Sequence, residues 1–510
     1  MEKGKIIRGA FILTGANIIT RLLGFFYRVY MADLIGAEGM GLYQLIVPVY
    51  MLAWSISSSG FSTVISKLTA SEKAASRNPC LILKLSVFMS VGLGIALGFI
   101  LWENADFTAE YILNDIRTAL SLKLICFCFP FMALGSCIRG YFFGLQNSLP
   151  PAVSQVVEQI TRMTVIFLIG GLLIPKGIEY ACAAAVTGMC AGEIVSAVYI
   201  LISLFSESKN KKHFKNRNLL SAYKLILAMV IPLTLNRLIS SLLSALENIL
   251  IPLRLELYGL SKTDAISEFG RLSGMALPLI MFPSSFLTAV SITIVPAISE
   301  SCAVKNNREV RAAAEKSILF AAVTGFGAAG LFITLPDEIS RLIYGSNSIG
   351  DILFMLGLLC PCMYLNVMLT GILNGMGEQI SIFINGLTGS LICLSCVWFI
   401  IPETGLYGYI FGSLFGIILS SGLNFYRVNK NSALKFSLSD FLLKPLFSAV
   451  SAGLLTDWLK KILPSQLPFG VSSGLLCGVF AVFFIVLLIL TGSVKKKDIY
   501  YILSPLFKIR

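Results

Sequence analysis

Seven charged side chains interrupt stretches that are otherwise apolar, and they are the residues best placed to do chemistry: Arg21, Arg28, Glu158, Arg162, Glu193, Arg237 and Glu247. In a segment that crosses a membrane, a mid-depth arginine costs about 2.5–3.5 kcal/mol even on the lenient insertion scale, so it has to face protein or water. Arg21 and Arg28 are seven residues apart and share one face of a helix. Guanidinium groups stay charged and bind phosphate oxygens in pairs, which suits an anionic, phosphate-bearing ligand. Arg21 and Arg237 lie deepest and are expected to converge on a central cationic cavity. Arg28 sits nearer the outer end, where it either joins them or reaches to the headgroup layer. Glu158 and Arg162, four residues apart, either neutralise each other along one helix or touch the ligand. Glu193 is the carboxylate placed to exchange a proton or Na⁺. Glu247 is expected at the solvated outer surface, and Arg139, beside Gly140 and Gly144, reads as an anchor at an inner helix end.

Motifs for covalent catalysis are missing. The chain has no GxxxxGK[ST] phosphate loop and no HExxH zinc motif. Gly470-Val-Ser-Ser-Gly474 matches a nucleophile pattern, but it opens an apolar helix, where small residues serve close packing. Cys393 and Cys396 form a CxxC pair inside an apolar stretch with no second pair, and there cysteine acts as a small hydrophobe. His213 is the only histidine and lies in a basic loop. No soluble segment is long enough to bind a nucleotide, so direct ATP drive and a resident cofactor are not expected. Na⁺ or H⁺ coupling and the membrane potential remain as energy sources.

The elements that must position these residues are membrane helices. Of 510 residues, 56% are hydrophobic and only 13% charged, a balance that leaves too few charges to cover a soluble surface. Long uncharged runs such as Leu81–Trp102 and Leu475–Leu490 approach the roughly 20 residues needed to span a bilayer as helix. The fold class is therefore all-α and polytopic, with about fourteen spans near 8–33, 42–66, 81–102, 118–140, 152–175, 180–205, 222–250, 266–297, 312–335, 351–374, 379–401, 405–426, 440–462 and 469–492. The formal net charge of +13 does not indicate a nucleic-acid partner, because the basic residues gather in alternate loops. Lys67, Lys73 and Arg77, the cluster Lys209–Arg217, Lys305–Arg311 and Lys495–Lys497 mark the inner side, and acidic loops mark the outer side. Both termini are expected in the cytoplasm. Lys3, Lys5 and Arg8 imitate the start of a signal peptide, but Arg21 and Arg28 interrupt the apolar stretch, so it reads as a retained first helix.

A pattern repeats at an offset of about 230 residues: Pro48–Met51 with Pro278–Met281, Ser71-Glu72 with Ser299-Glu300, and Gly140-x-x-x-Gly144 with Gly371-x-x-x-Gly375. Six spans per repeat is an even number, so the two halves share an orientation, and transporters of this kind place the substrate between them. The expected organisation is a six-helix lobe over 1–206, a basic linker over 207–219, a second six-helix lobe over 220–428, and two further helices with a basic tail over 429–510.

Thr20-Arg-Leu-Leu-Gly-Phe25 with Arg28 resembles the first-helix signature of the lipid II flippase family, MurJ and its relatives. Met281-Phe-Pro-Ser-Ser285, continuing to Thr293-Ile-Val-Pro296, resembles the eighth-helix signature, and Ala32–Tyr50 is most similar to the stage V sporulation protein B branch. The resemblance implies two six-helix lobes arranged in a V and two C-terminal helices that form a groove for a lipid tail. It implies export of an undecaprenyl-pyrophosphate-linked peptidoglycan precursor, for spore cortex, and it carries the family's first-helix arginines onto Arg21 and Arg28. In place of the family's second-helix arginine pair this chain has Ser55 to Ser59. In place of the arginine before the eighth-helix signature it has Pro278, with Arg271 two turns earlier as a substitute.

The expected function is thus a monomeric flippase in the cell membrane that moves a lipid-linked oligosaccharide with a pyrophosphate headgroup, surrounded by membrane lipids. A multidrug or cation antiporter of the same superfamily is the alternative, and would rely on Glu193. A membrane glycan polymerase would need a large outer loop with catalytic acids or histidines, and none is present.

Overall fold

The computed structural model describes residues 2–75, 77–207, 218–435, 437, 439–462 and 469–493, without the side chains of 2–11, 14 and 207. His213, the basic cluster Lys209–Arg217, Lys495–Lys497 and the side chains of Lys3, Lys5 and Arg8 lie outside the described residues. The fold is helical, and each of the fourteen expected spans falls on helix. Among the described residues, ten helices are long and apolar enough to cross a membrane, and up to twelve if each of two bent pairs is one span. Fourteen is compatible with this. One long stretch, Gly15–Ala74, takes in two of the expected spans, and the helix of the expected span at 440–462 carries four charges, Lys444, Asp457, Lys460 and Lys461.

The chain divides into two compact units, Met1–Gly270 and Arg271–Arg510. The first contains α1 (Glu2–Trp54), α2 (Gly60–Ala74), α3 (Cys80–Glu103), α4 (Ala119–Cys126), α5 (Cys128–Gly144), α6 (Leu149–Leu173), α7 (Ile178–Glu207), α8 (Leu219–Leu257) and α9 (Lys262–Phe269). α1 is kinked at Gly36, whose φ of 70° is open to glycine and costly for other residues. The expected boundary at 206–220 is therefore not where packing divides the chain. Ala222, Ile226 and Val230 of α8 are buried in one core with Phe61, Val64 and Ile65 of α2 and Ile138 and Phe142 of α5. α8 follows its apolar stripe into the first unit.

The second unit contains α10 (Leu277–Ala303), α11 (Asn307–Thr334), α12 (Pro336–Tyr344), α13 (Gly350–Gly357), α14 (Cys360–Met376), α15 (Gln379–Phe399), α16 (Leu406–Ser432), α17 (Lys444–Ile462) and α18 (Phe469–Leu490). Its interior repeats the devices of the first. α4 and α5 meet at 45°, and α13 and α14 at 54°. In each case a proline, Pro130 or Pro361, lies in the first turn after the break, where its ring and missing N–H relieve helical continuity. A Cβ on Gly140 would sit 2.5 Å from the Ser62 carbonyl oxygen and one on Gly144 2.6 Å from that of Ser66, so α5 lies directly on α2. A Cβ on Gly371 would collide with the Ser291 hydroxyl and one on Gly375 would lie 2.9 Å from Ile298 Cβ, so α14 lies on α10 in the same way. α17 and α18 pack on α11 through Ala449, Ala452, Phe480 and Phe484.

Candidate functional site

A cavity of about 740 Å³ opens within the first unit. Its walls follow from helical spacing. Ser59, Ser62, Thr63, Ser66 and Lys67 recur at steps of three and four along α2 and the turn before it, forming one polar stripe. Ser136, Arg139 and Phe143 form a second stripe on α5, set beside the first because Gly140 and Gly144 let the two helices touch. α1 adds Leu13 and Trp54, α6 adds Gln155 and Glu158, and α8 adds Arg237.

The turn joining α1 to α2, Ser55–Ser59, is π-helical. Such a turn leaves carbonyls off the regular ladder, and in a membrane protein they need other partners. Serines supply them. The Ser90 hydroxyl of α3 donates to the Ser57 carbonyl at 2.5 Å, Ser136 donates to the Ser58 carbonyl at 3.3 Å, and Ser59 donates to the Ser55 carbonyl at 3.0 Å. The Ser55 hydroxyl lies 2.6 Å from that of Ser241 on α8. Of this serine run, Ser59 lines the cavity.

Three cations line the wall: Lys67, Arg139 and Arg237. Arg237 donates to the Thr63 hydroxyl at 3.3 Å, and its guanidinium lies 5.8 Å from the centre of the Trp54 ring, within cation–π range. Arg139 donates to the Ser196 hydroxyl at 3.3 Å. The lining carboxylate, Glu158, is already paired with Arg162 at 2.9 Å, so the wall keeps a positive excess. Behind it, Glu193 of α7 is 4% exposed and accepts a 2.6 Å hydrogen bond from the Tyr50 hydroxyl.

The structure thus brings Arg237, Glu158 and Arg162 together and sets Glu193 behind them. Arg21 and Arg28 lie on α1 with exposed side chains and are not among the residues of this wall. Arg271 begins the second unit, half-buried in the π-helical turn before α10. Three readings need correction. Arg139 is a wall residue and not only an anchor. Lys67 lies within α2, which continues to Ala74, and not in an inner loop. Glu247, expected in solvent, is half-buried, with one carboxylate oxygen shielded and without a hydrogen-bond partner. Sequence reasoning also passed over Trp54 and the hydroxyl stripe. The three-and-four spacing from Ser59 to Lys67 is the signal that would have found the stripe.

The sequence pattern of the polysaccharide biosynthesis protein family matches residues 6–302, more than half of the chain. The chain belongs to this family. It is a member of the superfamily that also holds the multidrug and oligosaccharidyl-lipid transporters. Stage V sporulation protein B of Bacillus subtilis (strain 168) is 28% identical over 98% of both chains. The lipid II flippase MurJ of the same organism is 29% identical over 58% of each. Among solved structures, the lipid II flippase MurJ in an inward closed conformation superposes with a TM-score of 0.70 at 16% identity, covering 96% of this chain and 99% of that one. At that identity the likeness speaks for the fold.

Proposed function

We propose that this protein is a flippase that carries an undecaprenyl-pyrophosphate-linked saccharide, the peptidoglycan precursor lipid II for spore cortex, across the cytoplasmic membrane by alternating access. The observation that carries the reading is the cavity of the first unit, where Lys67, Arg139 and Arg237 face a space whose lining acid is neutralised. Such a wall attracts a diphosphate, and two guanidinium groups with an ammonium offer it charge-assisted hydrogen bonds. Trp54 and Phe143 give the same wall flat apolar surfaces for a sugar ring. Arg21, Arg28 and Arg271 contribute further cationic contacts along the route, and the lipid tail stays in the bilayer. A groove of about 370 Å³ between α11 and α17, lined by Phe326, Ile333, Leu446 and Val450, suits that tail.

The protein acts as a monomer with both termini in the cytoplasm, holds no cofactor, and draws on the membrane potential or on ion coupling. The relatives' names and the family match support the lipid-linked class of substrate. A drug antiporter would need its carboxylate open to a cation. Glu193 is buried, and three cations stand in the wall in front of it. Depletion of the protein is expected to cause one undecaprenyl-pyrophosphate-linked saccharide to accumulate on the inner leaflet, identified by mass spectrometry of extracted lipids. Unchanged lipid intermediates together with new drug sensitivity would favour the antiporter.

A further inference from the structure

Trp54 and Thr63 both touch Arg237, although a regular helix would set them on opposite sides. α1 and α2 run on through the turn that joins them, since Trp54 and Gly60 on either side of it keep right-handed helical backbone. The two residues are nine positions apart, and at about 100° per residue such positions face opposite ways. The π-helical turn Ser55–Ser59 takes up one extra residue. Trp54 and Thr63 therefore stand as if eight apart, about 80° from each other, and share a side. An indole that would otherwise point away from Thr63 is brought round to the cavity.

α8 completes the arrangement. Thr234, Arg237 and Ser241 recur at steps of three and four and form one stripe. An added Cβ on Gly60 would collide with the Thr234 hydroxyl, so α8 touches α2 there, and the Ser241 hydroxyl meets that of Ser55 at 2.6 Å. These two contacts bracket Arg237. Its guanidinium lies 5.8 Å from the centre of the Trp54 ring and donates to the Thr63 hydroxyl at 3.3 Å. Neither partner is charged, so the group is held without being neutralised. Arg162, by contrast, spends its charge on Glu158 at 2.9 Å.

One hydroxyl and one aromatic face use little of a guanidinium's fork of five N–H donors. The rest stay available to phosphate oxygens. An arginine that is free to rotate loses that freedom when it grips a ligand, and one that is already held loses less.

We infer that Trp54 is a positioning residue: together with Thr63 it holds the Arg237 guanidinium ready for the diphosphate of the transported headgroup. This rests on the flippase reading of the cavity and adds to it, since that reading gives Trp54 the sugar ring. The two roles call for different ligands. A surface for the sugar matters only when a sugar is present, whereas a hold on Arg237 matters for phosphate alone.

The test uses the full chain in lipid nanodiscs and calorimetry with three probes: inorganic pyrophosphate, UDP-N-acetylglucosamine and a lipid-linked sugar diphosphate. Trp54→Leu should weaken all three by a similar factor, about three- to tenfold, the size of one cation–π contact. Trp54→Phe keeps an aromatic face and should recover part of that loss. Thr63→Val removes the other hold and should weaken binding about two- to tenfold. In an Arg237→Ala background none of these changes should cost anything further, because the group they act through is gone. Damage to the fold would lower binding in both backgrounds and would not be repaired by phenylalanine. Trp54→Phe and Thr63→Val carry the comparison if Trp54→Leu is unstable. A loss confined to the probes that contain sugar, or an equal loss with and without Arg237, would overturn the positioning role while leaving the cavity reading standing. Failure of the wild type to bind any of the three probes would overturn both.

Discussion

At the scale of single residues, the charges with the deepest sequence positions and those that line the cavity overlap only in part. Arg237 and Glu158 are on both lists. Arg139 and Lys67 were read as topology markers because a cation near a helix end usually is one. Their place in the wall depends on which helices touch, and hydropathy carries no record of that. Truncating Arg139 or Arg237 to alanine should weaken binding of a lipid-linked sugar diphosphate by about 1.5–3 kcal/mol, or roughly ten- to a hundredfold, since each removes a charge-assisted contact. Lysine at either position should recover part of this. Filter binding or calorimetry on the nanodisc-embedded variants, at equal protein levels, checks both. Outside the spans, Glu378 is held below the usual carboxylate range by its hydrogen bond to Arg427 at 2.9 Å, with help from Asn431 and Ser381. A depressed folded-state value means that its contribution is present above the ordinary glutamate range and is lost as pH falls through the lowered value. The pair is partly exposed, so Glu378→Gln should cost less than about 1 kcal/mol at neutral pH and nothing in strong acid, as read from unfolding curves at the two pH values.

At the scale of elements, the fourteen apolar segments were legible because a membrane forces one continuous signal per span. The pairs Gly140/Gly144 and Gly371/Gly375 were legible as a repeat, and the structure gives that repeat its physical meaning. In each unit a glycine pair seats the bent fourth span on a serine-bearing neighbour. Gly140→Ala must displace the Ser62 carbonyl oxygen and should cost about 1–3 kcal/mol, the usual range for overpacking. Gly375→Ala should do the same against Ile298 in the second unit. Gly92→Ala is the control, since an added Cβ there meets nothing within 4 Å. Melting temperatures in one detergent rank the three. The π-helical turn at Ser55–Ser59 was not legible, because a run of serines looks like poor helix former and not like a set of partners for displaced carbonyls.

At the scale of the whole molecule, chain repeat and packing unit do not coincide. Counting spans places a boundary before residue 220, yet Ala222, Ile226 and Val230 complete the core of the first unit. Repeats are visible in sequence as similar residues at a fixed offset, whereas unit membership is decided by which apolar stripe finds which partner. If the chain is cut within 208–217 and the two pieces are produced together, they should co-purify in mild detergent, because the second piece begins with a helix buried in the first unit. Leu-to-Ala changes on exposed α8 positions should leave this intact, while Ile226→Asp should abolish it.

The π-helical turn between α1 and α2 has one further consequence. It holds one residue more than a regular turn, and its loose carbonyls are kept by hydroxyls that rotate freely and accept new partners at little cost. If the surplus residue travels along the helix, each residue that it passes swivels by about 100° while the segments on either side keep their facing. Were it to run from Ser59 past Lys67, that lysine and its row of hydroxyls would leave the chamber, letting go of an anion by a screw motion of one segment, without any ion pair having to break.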